Sequence, residues 1–113
     1  MDIKIYTISA LTLGSMFKKR RKQLGLTAAV VASKIGVTST LVLQLETGVN
    51  IMKKTNKIAA LCHVLCDDGT LMANWLIAYN ELRFFSDDDL AFAVESIKVL
   101  MRSGPLSLEV YND

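Results

Sequence analysis

Apolar positions along the chain form six runs of helical period separated by glycine, aspartate and hydroxyl residues, with a short alternating run at each end. Over residues 10–24, Leu13, Phe17 and Leu24 share one side of a 3.6-residue period while Lys18, Lys19, Arg21 and Lys22 lie largely off it. That pattern predicts a first helix, stopped by Gly25. Thr27 can accept from a free amide of a short second helix over 28–34, and Gly36 suits the positive φ just beyond that helix. Val37 and Thr38 then enter a third helix, capped by Thr38 and closed at Gly48. A loop through Lys54 leads to a fourth near 55–66, with Ile58, Leu61, Cys62 and Leu65 inward. Asp67-Asp68-Gly69-Thr70 breaks it, and Thr70 is the expected cap of a fifth helix over 71–84 with Leu71, Trp75, Leu76 and Tyr79 as core. Ser86 before Asp87, Asp88 and Asp89 puts a capping residue and three acids at the positive end of a sixth helix. It is predicted to run to Arg102 and to end at Gly104-Pro105, with Leu90, Val94, Ile97 and Met101 on one stripe widened by Phe92, Ala93 and Leu100.

At the ends the period drops to two. Ile3, Ile5 and Ile8 alternate with polar neighbours, as a short strand over 3–8 or as a disordered start, and Leu106, Leu108 and Val110 alternate as a second strand able to pair with the first. The predicted fold class is all-α with short terminal β-strands. Five helices in residues 1–85 make one domain, and residues 86–113 add a helix and strand. The stripe on the sixth helix exceeds what five helices need, so Leu90, Val94, Ile97, Met101, Leu106 and Leu108 are the expected contacts of a homodimer.

Residues 26–48 organise the rest. Two short helices joined through Ile35-Gly36-Val37-Thr38 must cross steeply, Ala32 permits their close approach, and Val31, Ile35, Val37, Val42 and Leu45 fill the space between them. This is the helix-turn-helix plan, whose second helix enters the DNA major groove. At Thr27, Val31-Ala32, Ile35 to Thr38, Leu45-Glu46-x-Gly48 and Trp75-Leu76 the chain resembles the Cro/phage-repressor (XRE-like) family, over roughly residues 13–76. The resemblance implies a five-helix lambda-repressor-like fold and a sequence-specific DNA-binding regulator of phage or mobile-element type. It also implies that Glu46 hydrogen-bonds within the domain and fixes the loop after the reading helix.

Charge sharpens this picture. The net +2 divides into a basic part, residues 1–60, with ten Lys/Arg against Asp2 and Glu46, and an acidic part, residues 61–113, with three against nine. The balances are +8 and −6, so one end suits an anion and the other avoids it. The chain has room for one domain, and its mean hydropathy of +0.34 is high for its size, which fits apolar surface kept for a partner. No apolar run approaches the ~18 residues of a membrane span, no signal peptide opens the sequence, and two cysteines are too few for a secreted disulfide framework. A cytoplasmic protein is expected.

With Val42 and Leu45 inward, Ser39, Thr40, Leu43 and Gln44 form the outer side of the third helix. Gln44 can match the adenine N6/N7 edge or be merely an exposed amide, Ser39 and Thr40 can meet bases or phosphates, and Leu43 can touch a thymine methyl. Lys18, Lys19, Arg21 and Thr27, with Asn50, Lys53 and Lys54 in the following loop, are candidate phosphate contacts, a solvated surface being the alternative. Cys62, His63 and Cys66 fall short of the about four ligands a structural zinc takes, so two buried thiols beside a surface His63 are expected and no metal or cofactor. Neither a catalytic triad nor a phosphate-cradling glycine loop appears, so an enzyme is not expected. Ala28 stands where the family often has glutamine, and Val30, Leu41 and Leu43 where polar residues are usual. Those three side chains support the alternative of a protein-interaction module, antirepressor or antitoxin-like, on the same frame.

Overall fold

The computed structural model describes the backbone of residues 10–49, 52, 54–80 and 86–112, and the side chains of 13–49, 52, 54–79 and 86–102. The described residues form six helices and no strand: α1 (Ala10–Gln23), α2 (Ala28–Ile35), α3 (Ser39–Thr47), α4 (Thr55–Val64), α5 (Thr70–Asn80) and α6 (Asp87–Asn112). The expected strand over 3–8 lies outside the described residues.

The local start and stop signals act where their chemistry places them. Thr27 Oγ1 accepts from Val30 N at 3.1 Å and Thr38 Oγ1 from Leu41 N at 3.2 Å, each satisfying an amide that the first turn of a helix leaves unpaired. Gly36 ends α2 at φ 73°, a left-handed conformation that a Cβ would strain. At the start of α6, Ser86 Oγ accepts from Asp89 N at 3.1 Å while the Asp89 carboxylate takes Ser86 N at the same distance, a reciprocal cap.

Two expectations at helix ends are corrected. Thr70 is the first residue of α5 rather than its cap; the amides of Leu71 and Met72 donate to the Asp67 carboxylate at 3.0 and 3.1 Å, and Thr70 N donates to Asp68. The two carboxylate oxygens each take one amide and bring a negative charge to the positive helix end, which a neutral hydroxyl does not. The C-terminal strand over 106–110 is also overturned, because the backbone of α6 continues helical through Pro105 to Asn112. The alternation covered only five residues, and Leu106 and Val110 are equally an i, i+4 pair. Proline removes one helix hydrogen bond and crowds the preceding turn, a local penalty that the run of α6 absorbs.

One buried cluster joins all six helices. Leu13 and Phe17 of α1, Val31 and Ile35 of α2, Val42 and Leu45 of α3, Ile58, Leu61 and Cys62 of α4, and Met72 and Trp75 of α5 meet in it, and α6 contributes Ala93 and Leu100. Leu24 and Leu76, expected inside, pack against its edge as partly buried residues. Burying such side chains is the main favourable term of folding, at about 25 cal/mol per Å² of apolar surface. Cys62 and Cys66 are buried and not joined in a disulfide, beside an exposed His63, and burial, with the Asp67 charge adding to it, pushes the Cys62 thiol well above its ordinary range.

Asp67 has a consequence for stability. Burial pushes its carboxyl above the ordinary aspartate range, the amides of Leu71 and Met72 pull it part of the way back, and the Asp68 charge adds to the rise. The folded state then holds its proton at pH values where the unfolded chain has lost it. The Asp67 contribution to stability therefore falls as pH rises from the ordinary aspartate value to the raised one, and is level above that. Urea midpoints for the wild type and Asp67→Asn, measured across the acid range, should shift in favour of the asparagine variant as pH rises; a constant difference would refute the raised value.

Candidate functional site

The surface around α3 is built by what holds that helix from behind. α2 and α3 are bent by 113° across the turn between them, within the range of such a motif. Val42 and Leu45 bury one side of α3 completely enough to fix its rotation: each is only 1% exposed. Ser39, Thr40 and Leu43 are consequently turned to solvent, with Leu43 47% exposed, and Gln44 is half-buried. The Thr47 hydroxyl donates back to the carbonyls of Leu43 and Gln44, so it belongs to the helix end. Between Leu26 and Val49 the only charged residues are Lys34 and Glu46.

Glu46 is 4% exposed and pairs with Arg21, whose Nε and Nη2 donate to its two carboxylate oxygens at 2.7 and 3.0 Å, while Nη1 donates to Leu26 O at 2.8 Å. The hydrogen bond to Glu46 pushes the guanidinium further above its ordinary value, against the cost of its burial. Arg21, expected among the phosphate contacts, is instead a buried strut between α1, α3 and the segment that leads into α2. Glu46 acts inside the domain, as expected, and its partner is on α1. A two-pronged arginine fork matches the carboxylate plane, which gives the joint direction as well as strength.

Three features of the support were missed in the sequence. Gly14 of α1 lies so close to α3 that a Cβ there would collide with Leu45 O and come within 2.6 Å of Glu46 O and 2.7 Å of Glu46 C. A glycine inside a helix is unfavourable by about 1 kcal/mol against alanine, and that anomaly was the one available hint. Arg20 donates to Leu65 O at 2.8 Å and Cys66 O at 3.2 Å, closing the C-terminal end of α4 from α1. Lys57 Nζ donates to Ile35 O at 3.0 Å, so it steadies the turn between α2 and α3 rather than pointing away from the domain.

The remaining predicted contacts divide. Lys18 and Lys19 are exposed and line one shallow groove of α1 with Ser15, Lys22 and Gln23. Lys18 is one turn from both Gly14 and Arg21, the positions of α1 that meet α3, so of the two lysines it is the nearer to the α3 side. Thr27 spends its oxygen on the cap of α2 but stays exposed there. Lys54 is exposed beside the start of α4 and borders a cleft that Asp88, Asp89 and Phe92 also line. Asn50 and Lys53 lie outside the residues whose side chains are described. Val30 is 42% exposed, and Leu41 is half-buried against the core.

On α6, Ala93, Ser96 and Leu100 form the buried side, and Ile97 packs partly against the same core. Ile97, one of the expected dimer contacts, therefore gives part of its surface to the protomer core. Leu90 and Met101 remain half-buried and Val94 is 44% exposed, along one flank of the helix. The side chains of Leu106 and Leu108 lie outside those described.

No single helix among the described residues is long and apolar enough to cross a membrane; the bent pair α2 and α3 reaches such a length only when joined, and its Val31, Ile35, Val42 and Leu45 line the core. A family model described as a helix-turn-helix domain matches residues 12–75, more than half of the chain. Comparison with curated proteins and with solved structures finds no match.

Proposed function

The chain belongs to the helix-turn-helix domain family, and from that premise we propose that it is a sequence-specific, double-stranded-DNA-binding transcriptional regulator that acts as a cytoplasmic homodimer. The observation that carries this reading is the outer face of α3: Ser39, Thr40 and Leu43 stand in solvent on a helix whose rotation and depth are fixed by buried contacts. In such motifs the first turns of the second helix meet base edges. Ser39, Thr40, Leu43 and Gln44 are assigned to bases, and Lys18, Lys19 and Lys54, with Asn50 and Lys53, to phosphates. Repression, of phage or mobile-element type, is proposed from the likeness of residues 13–76 to Cro and phage repressors, and would follow from occupancy of promoter DNA.

The dimer is assigned to the flank of α6 that carries Leu90, Val94 and Met101, since that apolar line is left open after Ala93 and Leu100 are buried. Two copies related by a two-fold axis would present two α3 helices to successive major grooves of a roughly palindromic duplex. Changing Leu90 and Val94 together to Glu should give monomers by light scattering with the helical content retained. A double variant that still elutes as the wild-type assembly would remove this face from the interface.

Titration of a selected duplex against salt tests the DNA reading. Affinity should fall steeply as salt rises, because each neutralised phosphate releases counterions. Lys18→Ala with Lys19→Ala should weaken all duplexes alike and reduce the salt slope by about 1 for each phosphate that is no longer neutralised. Gln44→Ala should instead cost about 1–3 kcal/mol at the selected site and relax one base pair per half-site. The exposed Val30 and Leu43 favour a second reading, a protein-interaction module of antirepressor or antitoxin type. That reading prevails if no duplex is bound while Leu43→Asp abolishes capture of a protein partner.

A further inference from the structure

The outer face of α3 is unusual in what it lacks. Guanine is most often read by a cation whose donors reach O6 and N7, and cytosine N4 by a carboxylate. Neither group stands on this face: Lys34 is in the last turn of α2, and Glu46 is buried against Arg21. What α3 offers in its first two turns is two hydroxyls, the half-buried amide of Gln44 and the side chain of Leu43, 47% exposed on the outward side.

Resting on the DNA-binding reading above, we propose that Leu43 is a specificity-determining residue that selects A·T pairs by packing on thymine methyl groups, so that the half-site is A·T-rich beneath the first turns of α3. The physical basis has two parts. A thymine methyl against an aliphatic side chain removes apolar surface of both partners from water. A G·C pair at the same place puts guanine O6 and N7, or cytosine N4, against a group that cannot hydrogen-bond, so those atoms lose water without replacement. Discrimination thus comes from attraction to one pair and from an unmet polar edge on the other. Ser39 and Thr40 accept or donate to any base edge and add no bias against A·T. The half-buried Gln44, where its amide reaches a base, matches adenine and acts in the same direction.

The test begins with selection of bound sequences from a random duplex pool by the wild-type protein, then replaces thymine with deoxyuridine at each position of the selected site. Deoxyuridine keeps every hydrogen-bonding group and removes the methyl alone. Wild-type affinity should fall about fourfold for each contacted methyl, the worth of one buried carbon at about 0.8 kcal/mol. Leu43→Ala should bind the thymine duplex more weakly and be nearly indifferent to the same replacement. Leu43 is exposed, so this variant keeps the fold, and the wild-type series stands without it. Selected sites with G·C at the α3 positions, a wild type indifferent to deoxyuridine, or a Leu43→Ala variant as sensitive as wild type would each overturn the inference while leaving DNA binding intact. Failure to recover any duplex would overturn the DNA reading itself, and capture of a protein by the same face would then assign Leu43 to that partner.

Discussion

Gly14→Ala is expected to lower the stability of the domain by about 2–3 kcal/mol, although alanine is the better helix former by about 1 kcal/mol. The added Cβ would meet backbone atoms of α3, Leu45 O and Glu46 O and C, the last two at 2.6 and 2.7 Å. A flexible side chain could swing aside; a carbonyl within a helix cannot. The two helices must then separate by enough to loosen Leu13, Phe17, Val42 and Leu45, which the same approach brings into one core. In a domain of this size the change should depress Tm by roughly 10–20 °C. Urea unfolding of the variant with an unaltered m-value and a lower midpoint is the result to look for. An unchanged midpoint would show that α1 and α3 are not held at so close a separation.

The second large effect belongs to the ion pair behind α3. Glu46→Ala should cost about 3–5 kcal/mol, because it leaves the Arg21 guanidinium buried with, among the described residues, only Leu26 O as a partner. Arg21→Met combined with Glu46→Leu should cost distinctly less than Glu46→Ala, since nothing charged is then left without a partner. The side chains of the pair are 10% and 3% exposed, so its contribution should survive high salt, whereas the affinity for DNA should not. A double-mutant cycle at low and at about 1 M salt separates the two behaviours. A coupling that vanished at high salt would place the pair in solvent.

What could be read from the chain and what could not divide by the range of the interaction. The capping residues Thr27 and Thr38 and the closing glycines Gly36 and Gly48 act on atoms within a few residues, so the α2–turn–α3 unit and its rotation were legible, and with them the exposure of Ser39, Thr40 and Leu43. Arg21, read as a cation largely off the apolar line of α1, stands four residues after Phe17 and three before Leu24, so the period itself put it at the margin of the buried side; what no local pattern reports is its partner, 25 positions away. Gly14, Arg20 and Lys57 share that cause: each meets backbone atoms in or just beyond another helix. Ile97 shows the same limit on α6, where a stripe at helical spacing does not say which of its residues the protomer claims for itself. The alternation over 106–110 misled for a different reason, being too short to separate a period of two from one of 3.6.

The close approach at Gly14 and the solvent position of Ser39, Thr40 and Leu43 also bear on how such a protein diverges. At Gly14 every replacement adds a Cβ that meets the backbone opposite, so drift there costs stability. The three α3 residues touch no other part of the described structure in a way that fixes their identity, and exchanging them leaves the frame intact. Stability and address are thus written at separate positions. A lineage, or a designer, can move this frame to a new target by rewriting the outer face of one helix without relearning how to fold.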